Sequence, residues 1–155
     1  MAGSKRKKEV KQTVVPNGRY IAQGGDPERY YCEYPAWAFV NSDQEMWAFS
    51  QDHMGESFWT EVLPRLKALE AKTWSEILVR DKKQNHSLNL DELNKTARDR
   101  LISKYIEAES LISLRITGNH RLYGYMIGRV FNVLWYDDDH GDNSTCICRS
   151  HLKHT

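Results

Sequence analysis

The alternation of apolar and polar positions is clearest between Leu111 and Tyr136. Ile112, Leu114 and Ile116 alternate with Ser113, Arg115 and Thr117. Beyond Gly118-Asn119, Leu122, Gly124 and Met126 alternate with Arg121, Tyr123 and Tyr125. After Gly128-Arg129 the run Val130 to Tyr136 is almost continuously apolar, as suits a strand covered on both faces. Three strands joined by tight turns predict an antiparallel meander. Upstream the period lengthens. Phe58, Val62, Leu66 and Leu69 follow helical spacing, with Pro64 set to kink the helix or start it afresh. Thr73-Trp74-Ser75-Glu76 has the capping-box pattern and predicts a short helix through about Val79. The polar stretch Asp81 to Ser87 reads as a loop. Asn89 is the expected N-cap of a third helix, with the stripe Leu93, Ala97, Leu101 and Tyr105. Trp37 and Phe39, then Trp47 and Phe49, alternate around the polar turn Asn41 to Glu45 and predict a hairpin over Tyr34 to Ser50.

These elements imply an α+β fold: a small antiparallel sheet, made of the C-terminal three-stranded meander and an N-terminal hairpin, with helices packed on one face. Residues 1–33, interrupted by Pro16-Asn17-Gly18 and Gly24-Gly25-Asp26-Pro27, read as a flexible basic arm. Residues 34–155 read as a single domain with a short polar tail, and no internal repeat is present.

Register at Gly118-Asn119 decides where the charged side chains go. A two-residue loop would pair Arg115 with Leu122 and place the apolar set of one strand behind the polar set of the next. A three-residue loop through His120 would pair Arg115 with Tyr123 and keep Ile112, Leu114, Ile116, Leu122, Gly124 and Met126 on one face. Burial favours the second, because a one-residue slip turns every side chain over. Arg115, Arg121 and Tyr123 then share the opposite face, beside His120 at the turn. That grouping suits phosphate binding and base stacking, and equally suits a solubilised sheet face with arginines paired to Glu107 or Glu109.

Composition adds bounds. The 155 residues are 40% hydrophobic and 28% charged, with five tryptophans, enough for one cored domain. The start MAGSKRKKEVKQ leads into no apolar segment, and no run reaches the roughly 18 apolar residues of a membrane span, so a cytoplasmic protein is expected. The net charge of +1 conceals a basic start: Lys5, Arg6, Lys7, Lys8 and Lys11 stand against Glu9. Such an arm either touches nucleic acid or is a solvated terminus. Cys32, Cys146 and Cys148 give no disulfide framework. The tail residues Cys146, Cys148, His151 and His154, with His140, are metal-capable types, but their spacing departs from that of structural zinc sites, and an incidental tail is the better account of them.

The segment Leu114-Arg115-Ile116-Thr117-Gly118-Asn119-His120-Arg121-Leu122-Tyr123 resembles the strand–turn–strand core of the RelE/ParE toxin superfamily, most closely its YoeB-like branch. The order of helices and meander is similar too. The resemblance implies a toxin of a toxin–antitoxin system, a bacterial translation inhibitor that cuts mRNA on the ribosome without a cofactor and is masked by an antitoxin protein. By position in the motif, Arg121 falls on the family's catalytic arginine and Arg115 on a basic residue of the preceding strand. His140, after the last strand, falls where relatives keep a histidine that acts as general acid. The family's base is a glutamate upstream of the meander; Glu107 and Glu109 are the nearest candidates here, and His120 is another. Attack by a 2′-hydroxyl needs a base, cations for the charged phosphorane and an acid for the departing oxygen. The RNA-binding residues implied are Arg115, His120, Arg121 and Tyr123. The chain departs from the family where Gly141 replaces a terminal tyrosine and where Asp137, Asp138 and Asp139 bring negative charge. Two other readings fit these departures: an inert relative acting by protein or nucleic-acid binding, and a cation site at the aspartates.

Overall fold

A computed structural model of the chain describes residues 29–139 and Ile147, together with the strands Val14–Val15 and Arg19–Ile21. His140, Cys146, Cys148, His151 and His154 lie outside the described residues, as does most of the expected arm.

The meander forms as the alternation dictates. β6 (Ser110–Thr117), β7 (His120–Ile127) and β8 (Val130–Asp137) run antiparallel at the centre of a five-stranded sheet. The strand order is β3-β8-β7-β6-β4, where β3 is Ala36–Ala38 and β4 is Asn85–Asn89. The fold is α+β, as expected, but β3 runs parallel to β8, so the sheet is mixed. The N-terminal hairpin does not form. Past β3 the chain turns at Asp43, whose carboxylate accepts the backbone N–H groups of Glu45 and Met46. Trp47 sits at φ 45° with its ring against Trp135. Of the alternating aromatics, Trp37 belongs to β3, Phe39 is exposed, and Trp47 and Phe49 pack from the folded loop.

β4 begins within the polar stretch Asp81 to Ser87, whose composition predicts a loop. At a sheet edge only Asn85 and Leu88 are buried, so hydrophobic periodicity has little to report. Asn85 donates to Ile77 O at 3.2 Å and accepts from Arg115 N at 3.0 Å, fixing this edge through its side chain.

Helical segments cover both faces of the sheet, not one. On the first face lie α1 (Gln51–Met54), a π-helical turn Phe58–Val62, α2 (Leu63–Leu69) and a second π-helical turn Glu76–Arg80. Val62, Leu66, Leu69, Trp74 and Ile77 pack there on Ile112, Leu114, Leu122, Phe131 and Val133. Pro64 stands in the first turn of α2, directly after the π-helical turn. The capping box is formed: Thr73 N donates to Glu76 Oε1 at 2.9 Å, and Glu76 N to Thr73 Oγ1 at 3.3 Å. On the second face α3 (Lys95–Ser103) brings Ala97 and Leu101 onto Leu111, Tyr123, Tyr125, Leu134 and Trp135. Asn94 caps α3, its side-chain oxygen accepting from Ala97 N at 2.7 Å. Asn89, the expected cap, instead precedes a short 3₁₀ turn, Leu90–Glu92. Tyr105 lies beyond the end of α3 at φ 59° and is about half exposed, so it leaves the predicted stripe.

Packing begins before Tyr34, since Tyr30 and Tyr31 lie against the first core and Trp74 N donates to Glu33 O. Within the expected arm, β1 (Val14–Val15) and β2 (Arg19–Ile21) pair antiparallel, and β2 pairs in parallel with β5 (Ile106–Glu107). Among the described residues no helix is long and apolar enough to cross a membrane.

Candidate functional site

Two β-bulges arrange the end of the sheet that carries the β6–β7 turn. The turn is the two-residue loop Gly118-Asn119, with Thr117 opposite His120, so the three-residue loop expected from burial is not used. Gly118 takes φ 48°, a left-handed value that glycine adopts without a Cβ penalty. Ile116 is then the extra residue of a bulge, after which Arg115 faces Arg121 and Leu114 faces Leu122. The bulge recovers by another route the faces that burial requires. Arg115 and Arg121 share the second face, and Leu114 and Leu122 are fully buried on the first.

The second bulge lies in β8. Gly124 faces Val133, but Tyr123 faces Trp135, leaving Leu134 as the extra residue. Without it Trp135 would oppose Leu122; with it Tyr136 does, and Tyr136 enters the first face. His120, at the head of β7, alternates onto that face as well. Its Nδ1 is hydrogen-bonded to the Tyr136 hydroxyl and lies 3.4 Å from Glu61 Oε1. Glu61 comes from the π-helical turn Phe58–Val62, a geometry whose wider hydrogen-bond spacing is uncommon and recurs at functional sites. Its Oε1 is buried and makes no hydrogen bond. The Tyr136 carbonyl meets His53 Nε2 at 3.1 Å. Burial chiefly raises the Tyr136 hydroxyl to about 12; a hydrogen bond with Ser57 opposes this, and the negative charges of Glu61 and Asp138 add to it. The phenol therefore keeps its proton at neutral pH.

On the other side of the turn, Arg115, Arg121 and Asp137 form a cross-strand row. Arg121 Nη1 donates to Gly118 O at 2.7 Å and His120 O at 3.1 Å, tying the guanidinium to the turn. Arg65, from α2, donates through Nε to Arg115 O at 2.9 Å, just past the residue where β4 stops pairing with β6. Burial lowers the Arg65 pKa; Asp81 opposes this and the nearby Arg115 charge reinforces it. Asp137 is buried, with its carboxylate accepting from Asp139 N and Ile147 N. Burial nonetheless raises its pKa above the ordinary carboxylate value, aided by Asp138 and Asp139.

No protein-family model matches this sequence, and no curated protein or solved structure matches it. The site therefore rests on its own geometry.

That geometry regroups the residues singled out in the sequence. Arg115 and Arg121 are brought together. His120 is adjacent in sequence but contributes its ring to the opposite face. Tyr123 cannot serve as a stacking platform, because it is 0% exposed and packs in the second core. Glu107 is exposed in β5, before the start of β6, whereas Arg115 is near that strand's end. The five residue steps from Ser110 to Arg115 alone span roughly 16 Å at strand rise. Glu61, Arg65 and Tyr136 were missed. Glu61 and Arg65 carry no periodic signal on their helical segment, and Tyr136 was read as one more apolar residue of β8. Among the described residues no group of three or more His, Cys, Asp or Glu is placed to hold a metal ion.

Proposed function

We propose that the chain is an RNA-cleaving toxin of the RelE/YoeB kind, acting in the cytoplasm on ribosome-bound mRNA and held in check by an antitoxin protein. The observation that carries this reading is the pairing of two chemistries around one turn: Glu61, His120 and Tyr136 on one side, Arg115 and Arg121 on the other. The motif resemblance at Leu114 to Tyr123 supports it.

In this reading the contacts at Nδ1 orient the His120 ring, and Nε2 takes the proton of the attacking 2′-hydroxyl. Glu61 stabilises the imidazolium that forms. The 2′-oxygen bonds to phosphorus, the bond to the 5′-oxygen breaks, and that oxygen leaves with a proton from an acid. By resemblance the acid is His140. Arg115 and Arg121, reaching around the turn from the second face, and Arg65, on the first, stabilise the charge that builds on the phosphate oxygens. No metal ion is required by these steps.

A second reading, an inert relative that binds protein or nucleic acid, is favoured by Asp137 directly opposite Arg121, a carboxylate that weakens attraction for phosphate. Cleavage decides between them. Wild type, Glu61→Gln, His120→Ala, Arg121→Ala and His140→Ala are incubated with free mRNA and with ribosomes carrying it. Each substitution is expected to slow cleavage by about 10²–10³-fold, the usual loss for one well-placed charge-stabilising group. Intact mRNA with wild type in both settings favours the inert reading. Cleavage that survives Glu61→Gln and His120→Ala refutes the assignment of the acid–base pair.

A further inference from the structure

A groove of about 770 Å³ lies between α1 and the π-helical turn Phe58–Val62. His53 and Glu61, which meet Tyr136 and His120, do not line it, so it is separate from the acid–base pair. Gly55 builds it locally. At φ 55° this glycine ends α1 and turns the chain, and Asp52 before the turn and Glu56 after it both line the groove. Glu56 then opens the next turn, its carbonyl accepting from Trp59 N at 3.0 Å and Thr60 N at 2.9 Å. Positions three apart on a helical turn are neighbours, which sets the Glu56 carboxylate beside the Trp59 indole. Phe49 and Phe58 supply the apolar wall. They meet at 6.0 Å and 89°, and Phe58 meets Trp59 at 5.0 Å and 85°. Both phenylalanines are partly buried against the first core, whereas Trp59 is 64% exposed. An indole this open contributes little to the core.

The charge of the lining narrows what fits. Asp52 and Glu56 are exposed, and no lysine or arginine is among the described residues that line the groove. An open indole beside two carboxylates is the complement of a cation. The ring quadrupole and both negative charges attract it, and they repel a phosphate. A guanidinium answers every part of this lining at once. It is flat and stacks on an indole face, and its fork of N–H donors meets carboxylate oxygens two at a time. An ammonium group is more strongly hydrated and has no plane to stack. Beyond Phe49 the apolar surface continues outward: Phe39 stacks on it at 5.3 Å, and Phe39 and Val40 are both exposed. That surface is wider than one side chain, so it suits a peptide segment more than a free small cation. We propose that the groove is a docking site for an arginine side chain of a partner protein, whose neighbouring apolar residues pack on Phe39 and Val40. This inference stands apart from the RNA-cleaving reading.

Three blocked peptides that differ in one side chain test it: a central arginine, lysine or citrulline between two leucines. Each is titrated into the full chain while the Trp59 indole N–H and the Glu56 amide are followed by NMR. The arginine peptide is expected to shift both signals and to bind at least about threefold more tightly than the lysine peptide, and about tenfold more tightly than the neutral citrulline peptide. Trp59→Ala is expected to weaken arginine-peptide binding by about two- to fivefold, the scale of a cation–π contact at an exposed site, with the Glu56 amide as the reporter. The double change Asp52→Asn with Glu56→Gln is expected to weaken it by about two- to tenfold and to remove its salt dependence. All three side chains are exposed, so the variants are expected to keep the wild-type melting curve. Equal binding of the three peptides, or none, overturns the proposal. Tighter binding of the lysine peptide overturns the choice of arginine. A Trp59 signal that moves when the protein alone is diluted makes the occupant a second copy of this chain and overturns the partner assignment. None of these readings depends on whether the protein cleaves RNA.

Discussion

Asp43 is the residue on which the second face depends most. It is fully buried, and its carboxylate accepts from Arg100 Nε at 2.7 Å, Arg100 Nη2 at 2.9 Å and Trp135 Nε1 at 3.0 Å, besides the two loop N–H groups. Burial alone raises its pKa, but the Arg100 guanidinium, the Glu45 and Met46 N–H groups and the Trp135 indole together hold it well below the ordinary carboxylate range. A depressed pKa in the folded state means that the stabilisation is complete above the unfolded carboxyl value, about 3.9, and is lost as pH falls toward the folded value. Asp43→Asn turns a donor toward donors and leaves Arg100 without its buried partner. Removing one member of a buried pair costs about 3–5 kcal/mol. Thermal melts at pH 7 and pH 3 are expected to show a large loss at pH 7 for the variant and a smaller difference at pH 3. Parallel pH curves for the two proteins would refute this role. Asp137 acts with the opposite sign: its pKa is raised, so its burial cost is present at neutral pH and relieved on acidification.

At the scale of elements, the bulges in β6 and β8 determine which side chains meet. Gly124 holds the second in place. A Cβ there would stand 2.3 Å from Asn132 O and 2.7 Å from Phe131 Cζ, and the nearer obstacle is backbone in the adjacent strand. Gly124→Ala must push β8 away from β7 beside the Leu134 bulge, and overpacking of this kind costs about 1–3 kcal/mol. Chemical denaturation is expected to register that loss, with a broadened His120 ring resonance as β8 shifts Tyr136. Unchanged stability would show that the strands part without strain. The helices were legible because Val62, Leu66 and Leu69, and then Ala97 and Leu101, each form a one-sided stripe. β4 was not, since an edge strand with polar residues on its open side leaves almost no hydrophobic trace.

Among the described residues both cores are built from Tyr30 onward, and the N-terminal contribution is the short pairing of β1 and β2 with β5. Deleting Met1 to Gly25 is therefore expected to move the thermal midpoint by no more than about 4 °C, the scale of one kcal/mol in a domain of this size. A larger fall would mean that the N-terminal strands support α3 and β5 substantially.

What the sequence determined by itself was alternation: the strands of the meander, their inward and outward faces, the stripes of α2 and α3, and the capping box at Thr73. These are local, because a strand or helix sets the direction of each side chain from its neighbours along the chain. Arg115 and Arg121 on one face followed from that alternation together with the burial of the apolar set, although the bulge that achieves it did not. Only the tertiary structure decided that His120 meets Glu61 and Tyr136 on the other. That meeting depends on a helical turn folded back from residues 58–62 and on a one-residue bulge in β8. A bulge leaves the apolar pattern of a doubly covered strand unchanged, since Leu134, Trp135 and Tyr136 are buried whichever face each one takes.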